Sequence, residues 1–164
     1  MIKKKVCMIG AFAVGKTSLV QRFVKSIFSD KYQTTIGVKI DKKTVFTDQS
    51  EVDLLLWDIH GEDDFQKVKS SYIVGSSGYF IVIDGTRAET YNVGMELLKL
   101  AQTAAPTASC IFLINKSDIR TDWEITDSQI DDIKAAGHEV IETSAKDNTS
   151  VNEAFDRIVS LMLK

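Results

Sequence analysis

Apolar residues follow two rhythms along this chain, and the rhythms alternate. Residues 6–9 are a continuous apolar run, Val-Cys-Met-Ile, whereas Leu19, Val20, Phe23 and Val24 recur at helical spacing. A strand, a tight loop and a helix are therefore expected at the start. Residues 38–46 and 51–57 read as two strands joined by the polar turn Thr47-Asp48-Gln49-Ser50. Residues 78–84 and 110–114 are apolar without alternation, the pattern of strands buried on both faces. Residues 91–104 read as helix and stop before Pro106, which disfavours helix at the residue preceding it. The capping box Thr126-x-x-Gln129 opens another helix, closed at Gly137, and residues 139–141 make a last short strand. A second capping box, Ser150-x-x-Glu153, leads into a helix with Val151, Ala154, Phe155, Ile158, Val159 and Met162 on one face. Strands alternating with helices predict a single-domain α/β fold: a six-stranded, mainly parallel sheet with helices on both faces.

Composition narrows this picture. With 164 residues, 44% of them apolar, the chain has enough for one sizeable core and is short for two, so residues 1–164 are read as one domain. A net charge of −3 argues against the basic footprint of a nucleic-acid binder, and no nucleic-acid partner is expected. Met-Ile-Lys-Lys-Lys runs straight into the first strand and no cysteine lies near the last residues. No signal peptide, membrane span or lipid anchor is therefore expected, and the chain reads as a cytoplasmic monomer. Cys7 and Cys110 each sit in an apolar run, as small core residues do, rather than as a disulfide or metal pair.

The chemistry gathers at strand ends. Between the first strand and helix lies Gly10-Ala-Phe-Ala-Val-Gly15-Lys16-Thr17-Ser18, a phosphate-binding loop by its spacing. Backbone N–H groups there can converge on an anion at the positive end of the helix dipole, with Ala13, Val14, Gly15, Lys16, Thr17 and Ser18 as the candidate phosphate contacts. Lys16 supplies a point charge and the Thr17 hydroxyl can hold Mg²⁺. In parallel sheets ligands bind beyond the carboxyl ends of the strands, so Asp58, residues 115–118 and residues 144–146 are expected on the same rim. Asp58 suits a carboxylate held over Mg²⁺ through water. Gly61, without a Cβ, can bring its N–H to a terminal phosphate. Asp118 can accept two hydrogen bonds from the N1–H and N2–H₂ edge of guanine, an edge that adenine lacks.

These stretches resemble the Ras superfamily of small GTPases, most closely its Rab branch. The resemblance is carried by Gly10-x-x-x-x-Gly15-Lys16-Thr17, Thr34-Thr35-Ile36-Gly37-Val38, Trp57-Asp58-x-x-Gly61, Ser70-Ser71-Tyr72, Asn115-Lys116-Ser117-Asp118 and Thr143-Ser144-Ala145-Lys146. It implies a GTP/GDP switch with Mg²⁺ held by Thr17, Thr35 and Asp58. It also implies that Phe28 packs on the base, that Lys116 and Lys146 flank it, that Asn115, Asp118 and Ser144 complete the base side, and that the Ala145 N–H binds the guanine oxygen. Lys16, Gly61 and Glu62 would stand at the hydrolytic centre. Loops around Thr35 and Gly61 would be switches. Effectors, exchange factors and activating proteins would dock on residues 32–40 and 57–75, where Ile40, Trp57 and Tyr72 form an apolar patch. Regulation of signalling or vesicle traffic is the implied role.

Three residues depart from the family pattern. Glu62 replaces the usual water-positioning glutamine, Phe12 fills a loop position commonly glycine or serine, and His60 stands where a small residue is usual. A glutamine both donates and accepts, whereas an ionised carboxylate only accepts and adds charge beside an anionic centre. Nucleotide binding is expected to survive and hydrolysis to be slow; His60 is expected to face solvent. A non-hydrolysing, GTP-bound scaffold is the alternative from another class, and an ATP-using phosphate-loop enzyme is the reading that Asp118 opposes.

Overall fold

Strand β1 is Ile2–Gly10, four residues longer at its amino end than its apolar run, because Ile2 to Lys5 pair with residues 52–55 of the neighbouring strand. It leads into α1, Lys16–Lys25. The computed structural model describes residues 2–29, 37–63 and 67–164. Expectations for Thr34, Thr35 and Ile36, and for the parts of the docking spans at 32–36 and 64–66, lie outside those residues. The hairpin follows as β2, Val38–Phe46, and β3, Glu51–Ile59, and Thr47 closes its turn by donating to and accepting from the Ser50 backbone. Then come β4, Gly78–Asp84; α2, Ala88–Ala104; β5, Ser109–Asn115; α3, Asp127–Ala135; β6, Glu139–Thr143; and α4, Val151–Met162.

The six strands form one sheet in the order β2-β3-β1-β4-β5-β6, with only the β2–β3 pair antiparallel. Successive residues of a strand point to opposite faces, and the two cores divide accordingly. Val6, Met8, Leu54, Leu56, Phe80, Val82 and Leu113 face α1 and α4. Cys7, Ile9, Ile59, Tyr79, Ile81, Ile83, Phe112 and Ile114 face α2 and α3. On the first face Phe155 stacks on Phe23 with ring centroids 3.9 Å apart and meets Phe80 edge-on at 5.1 Å, tying both helices to the sheet. Register pairs Met8 with Asp58, Gly10 with Val82, Asp84 with Asn115, and Asn115 with Thr143. The carboxyl ends of β1, β3, β4, β5 and β6 thereby share one rim.

Several boundaries differ from the sequence reading. Helix α2 starts at Ala88, not residue 91, because the buried Thr90 hydroxyl bridges the Asp84 and Arg87 carbonyls where apolar periodicity gives no signal. Thr126 forms the full capping box with Gln129. Ser150 does not form one with Glu153: its backbone is left-handed, with φ 58°, and its side chain caps nothing. That conformation turns the hydroxyl away from the first-turn N–H groups it would need to reach. Cys7 and Cys110 are free thiols, the first buried and the second half-buried. Burial pushes the Cys110 thiol up to about 12, far from a reactive thiolate. Among the described residues no helix is long and apolar enough to cross a membrane.

Candidate functional site

The chain leaves β1 at Gly10 and turns into α1 within five residues. Gly15 caps the helix with φ 104°, and a Cβ there would also sit 2.2 Å from the Asn115 side-chain nitrogen, so glycine is required twice over. Ala13 adopts φ 63° without being glycine, a costly backbone for an L residue. The first turn of α1 carries no acidic residue and the N-cap makes no side-chain hydrogen bond. The turn therefore keeps its positive end for an anion.

Lys16 opens that helix and is only 5% exposed. Its ammonium donates to the carbonyls of Ala11 at 3.0 Å and Gly10 at 3.4 Å. Burial lowers its pKa from 10.5 to about 8, with Asp58 opposing the shift and Arg87 adding to it. A buried cation held by two neutral carbonyls is an incomplete ion pair, which a phosphate completes. Asp58, in β3 rather than after it, is buried; one carboxylate oxygen accepts from the Thr17 hydroxyl at 2.6 Å, and among the described residues Oδ1 has no partner. Desolvation raises its pKa against the opposing pull of Thr17 and Lys16. A hydroxyl and an orphaned carboxylate oxygen are a hard-oxygen donor pair that fits Mg²⁺. Among the described residues no group of three or more His, Cys, Asp and Glu could hold a metal, so this pair is not part of a carboxylate or imidazole cage there.

Beyond Ile59 the backbone stays beside the loop. Glu62 N–H donates to the Gly10 carbonyl at 3.1 Å, and Phe12 N–H donates to the Glu62 carbonyl at 2.9 Å. A Cβ on Gly61 would lie 2.4 Å from the Phe12 Cα. Its glycine therefore has a further cause, the close passage of two backbones, which the sequence did not suggest. The Glu62 carboxylate accepts from the Val68 N–H at 3.1 Å. His60 does not face solvent as expected. It is 5% exposed, its N–H donates to the Gly37 carbonyl at 2.7 Å, and its ring meets Tyr72 edge-on at 6.3 Å. It lies just past the end of β3, where that hydrogen bond to Gly37 holds the chain against the protein.

On the other side of the rim, Asn115 joins the two halves. Its amide donates to the Val14 carbonyl at 3.1 Å and its oxygen accepts from Thr143 at 3.2 Å. Asp118 accepts from the Ser144 hydroxyl at 2.8 Å, and Ser144 accepts in turn from the Asp147 N–H at 2.9 Å. Ala145 is buried and Lys146 exposed. Phe28 is partly buried against the face of α1 and α4. Ser18 lies in the first turn of α1, and Val14 lies in the loop and is buried.

Four residues of this region carried no signal in the sequence reading. Arg22 donates from α1 to the carbonyls of Ala145 at 2.7 Å and Lys146 at 2.8 Å. Asp84, fully buried at the end of β4, takes the Lys116 ammonium at 2.8 Å. Arg87 donates to the Phe12 carbonyl at 2.9 Å. Trp123 donates its indole N–H to the Lys116 carbonyl at 2.9 Å, where Lys116 has φ 76°. Only Asp84 was within reach of the strand-end rule; the others act through backbone carbonyls, for which no residue pattern exists. Outside the rim, Ile40 lies opposite Trp57 in register and is 50% exposed, and the Lys5 ammonium stands 3.5 Å over the Trp57 ring.

Comparison with known proteins bears on this geometry. A sequence model described as Ras family matches residues 5–164. The chain is similar to Ras-related protein Rab-12 of Homo sapiens, 34% identical over 165 residues that cover 99% of this chain and 68% of the relative. It is also similar to Ras-related protein Rab-7L1 of Rattus norvegicus, 35% identical over 97% of this chain and 81% of the relative. A third similarity is to Ras-related protein Rab-1C of Dictyostelium discoideum, 31% identical over 95% and 79%. With a strand-end phosphate loop, a buried lysine and a rim of base-side residues already in the fold, these matches make the chain a Rab-like GTPase of the Ras family.

Proposed function

We propose that residues 1–164 form one guanine nucleotide switch that binds GTP and GDP with Mg²⁺ and hydrolyses GTP slowly, in the manner of a regulator of vesicle traffic. The observation that carries the binding half is the pairing of a buried, incompletely neutralised Lys16 with an orphaned Asp58 oxygen at the mouth of α1. Each lacks the partner that a metal-bound phosphate supplies. Lys16 neutralises the outer phosphates while the N–H groups of residues 13–18 receive the rest of the charge. Thr17 and Asp58, with Thr35, hold the metal, which when bound spreads the charge of the phosphate oxygens. Asp118, its carboxylate aligned by Ser144, accepts from the guanine edge, with Lys116, Lys146, Phe28 and the Ala145 N–H around the base.

Hydrolysis is slow in this reading because of Glu62. Its carboxylate is engaged by the N–H of Val68, and when free it can accept from water but cannot donate to the transferring phosphoryl group. Gly61 and Lys16 remain to steady that group. Effectors, exchange factors and activating proteins meet residues 32–40 and 57–75, where Ile40, Trp57 and Tyr72 supply the apolar contact. The test is identification of the co-purifying nucleotide together with single-turnover phosphate release from GTP-loaded protein. Guanine nucleotide with measurable, slow release supports the switch. Bound GTP that never releases phosphate would instead support a GTP-locked scaffold, and adenine nucleotide would refute both.

A further inference from the structure

Arg87, the residue before α2, reaches across to the phosphate loop and donates to the carbonyl of Phe12 at 2.9 Å. Nothing in the phosphate-loop spacing calls for it. Its guanidinium also lies 3.8 Å from Asp84 Oδ2, and the same carboxylate oxygen takes the Lys116 ammonium at 2.8 Å. Asp84 is fully buried and further anchored by the Thr86 hydroxyl at 2.7 Å and N–H at 2.9 Å, so it cannot swing away. A continuous brace therefore runs Lys116, Asp84, Arg87, Phe12, from the base side of the rim to the third residue of the loop.

The consequence follows from the peptide bond. In a planar trans peptide the carbonyl of one residue and the N–H of the next point in opposite directions. A guanidinium that grips the Phe12 carbonyl on the α2 side thereby aims the Ala13 N–H away from α2. Among the described residues that N–H has no acceptor, and Ala13 holds the left-handed backbone, φ 63°, that such an orientation needs. An alanine in that conformation is strained and would tend to relax by flipping the peptide. Arg87 opposes the flip. Its charge also acts directly across the loop, being one of the causes that depress the Lys16 pKa.

We propose that Arg87 is a positioning residue for phosphoryl transfer: through the Phe12 carbonyl it aims the Ala13 N–H at the phosphates, with Asp84 and Lys116 linking its position to the base. This rests on the reading of the site as a GTP-hydrolysing centre and adds to it a residue outside every nucleotide-contacting segment. Charge that gathers on the leaving phosphate oxygens during transfer is stabilised only by donors already aimed at them. Loss of the clamp costs rate more than affinity, because the remaining N–H groups, Lys16 and the metal still hold the ground state.

The experiment compares parent, Arg87→Ala and Arg87→Lys by single-turnover phosphate release, by GDP affinity, and by the phosphorus NMR signals of bound GDP. Arg87→Ala is expected to hydrolyse roughly tenfold more slowly, with GDP affinity within about threefold and a displaced β-phosphate signal, while Arg87→Lys recovers part of both rate and signal. A β-phosphate signal identical to the parent's in Arg87→Ala overturns the inference. So does a rate loss matched by an equal loss of GDP affinity, which would mark Arg87 as a brace for binding alone. If the parent itself releases no phosphate, the hydrolytic reading fails, and the β-phosphate signal still decides whether Arg87 aims the loop.

Discussion

The side-chain amide of Asn115 donates to the carbonyl of Val14 across a sequence separation of 101 residues, at 3.1 Å, and so fixes the base side of the site to the phosphate side. Asn115 ends β5 and Val14 lies in the loop after β1, two strands apart in the sheet. The phosphate loop is thus held from behind by side chains of other strands, and substitutions on the base side can be separated from those that move the loop.

Base choice should follow Asp118. Replacing it with asparagine removes one of two carboxylate acceptors for guanine and supplies a donor suited to the C2 oxygen of xanthine. Asp118→Asn should weaken GDP binding by about 10² to 10³ and strengthen binding of xanthosine diphosphate. Competition titration with the two diphosphates checks this, and unchanged GDP affinity would remove Asp118 from the base site.

Proton uptake should accompany nucleotide binding through Lys16. Its pKa is lowered from 10.5 to about 8 in the nucleotide-free chain, so the folded protein holds fewer protons than the unfolded one between those values. Stability of the nucleotide-free protein should therefore rise with pH through that window. A phosphate beside the ammonium restores its proton, so GDP binding at pH 8 should take up about half a proton. Calorimetric titration in buffers of different ionisation enthalpy measures the uptake. Lys16→Met should abolish it and weaken binding severely.

Shut-off by an activating protein should be impeded at two residues. An arginine supplied in trans typically gains roughly 10³ to 10⁵ in rate, and Phe12 puts an aromatic side chain on the loop that such an arginine must approach. Glu62 cannot donate to the transition state as glutamine does. Phe12→Gly combined with Glu62→Gln should raise activator-stimulated phosphate release by about 10² or more over the parent. Equal stimulation of the parent would clear both residues.

The two residues expected to cap helices should behave differently. Thr126 accepts from the Gln129 N–H at 3.1 Å, and Thr126→Ala should cost about 1 kcal/mol of stability. Ser150 caps nothing with its side chain, and Ser150→Ala should stay within about 0.5 kcal/mol of the parent. Denaturant unfolding of both variants distinguishes a working cap from a sequence pattern.

The amino-acid sequence by itself determined the order of elements and the rim. Apolar runs without alternation mark strands buried on both faces, and β4 falls at Gly78–Asp84 as read, entirely buried. Glycine and lysine spacing marks the phosphate loop because only those residue types meet its backbone and charge requirements locally. Once the sheet is parallel, the carboxyl-end rule carries Asp58, Asn115 and Asp118 to the same side. What the tertiary structure alone decided is everything that acts through a main-chain partner distant in sequence. Arg22 on the Ala145 carbonyl, Trp123 on the Lys116 carbonyl and Arg87 on the Phe12 carbonyl have no sequence signature, since any residue offers a carbonyl and only the fold chooses which one. The inward turn of His60 and the close passage of Gly61 over Phe12 belong to the same class. They arise where the chain continues past the end of β3 beside the loop of β1, a juxtaposition of two backbones that no pattern of side chains encodes.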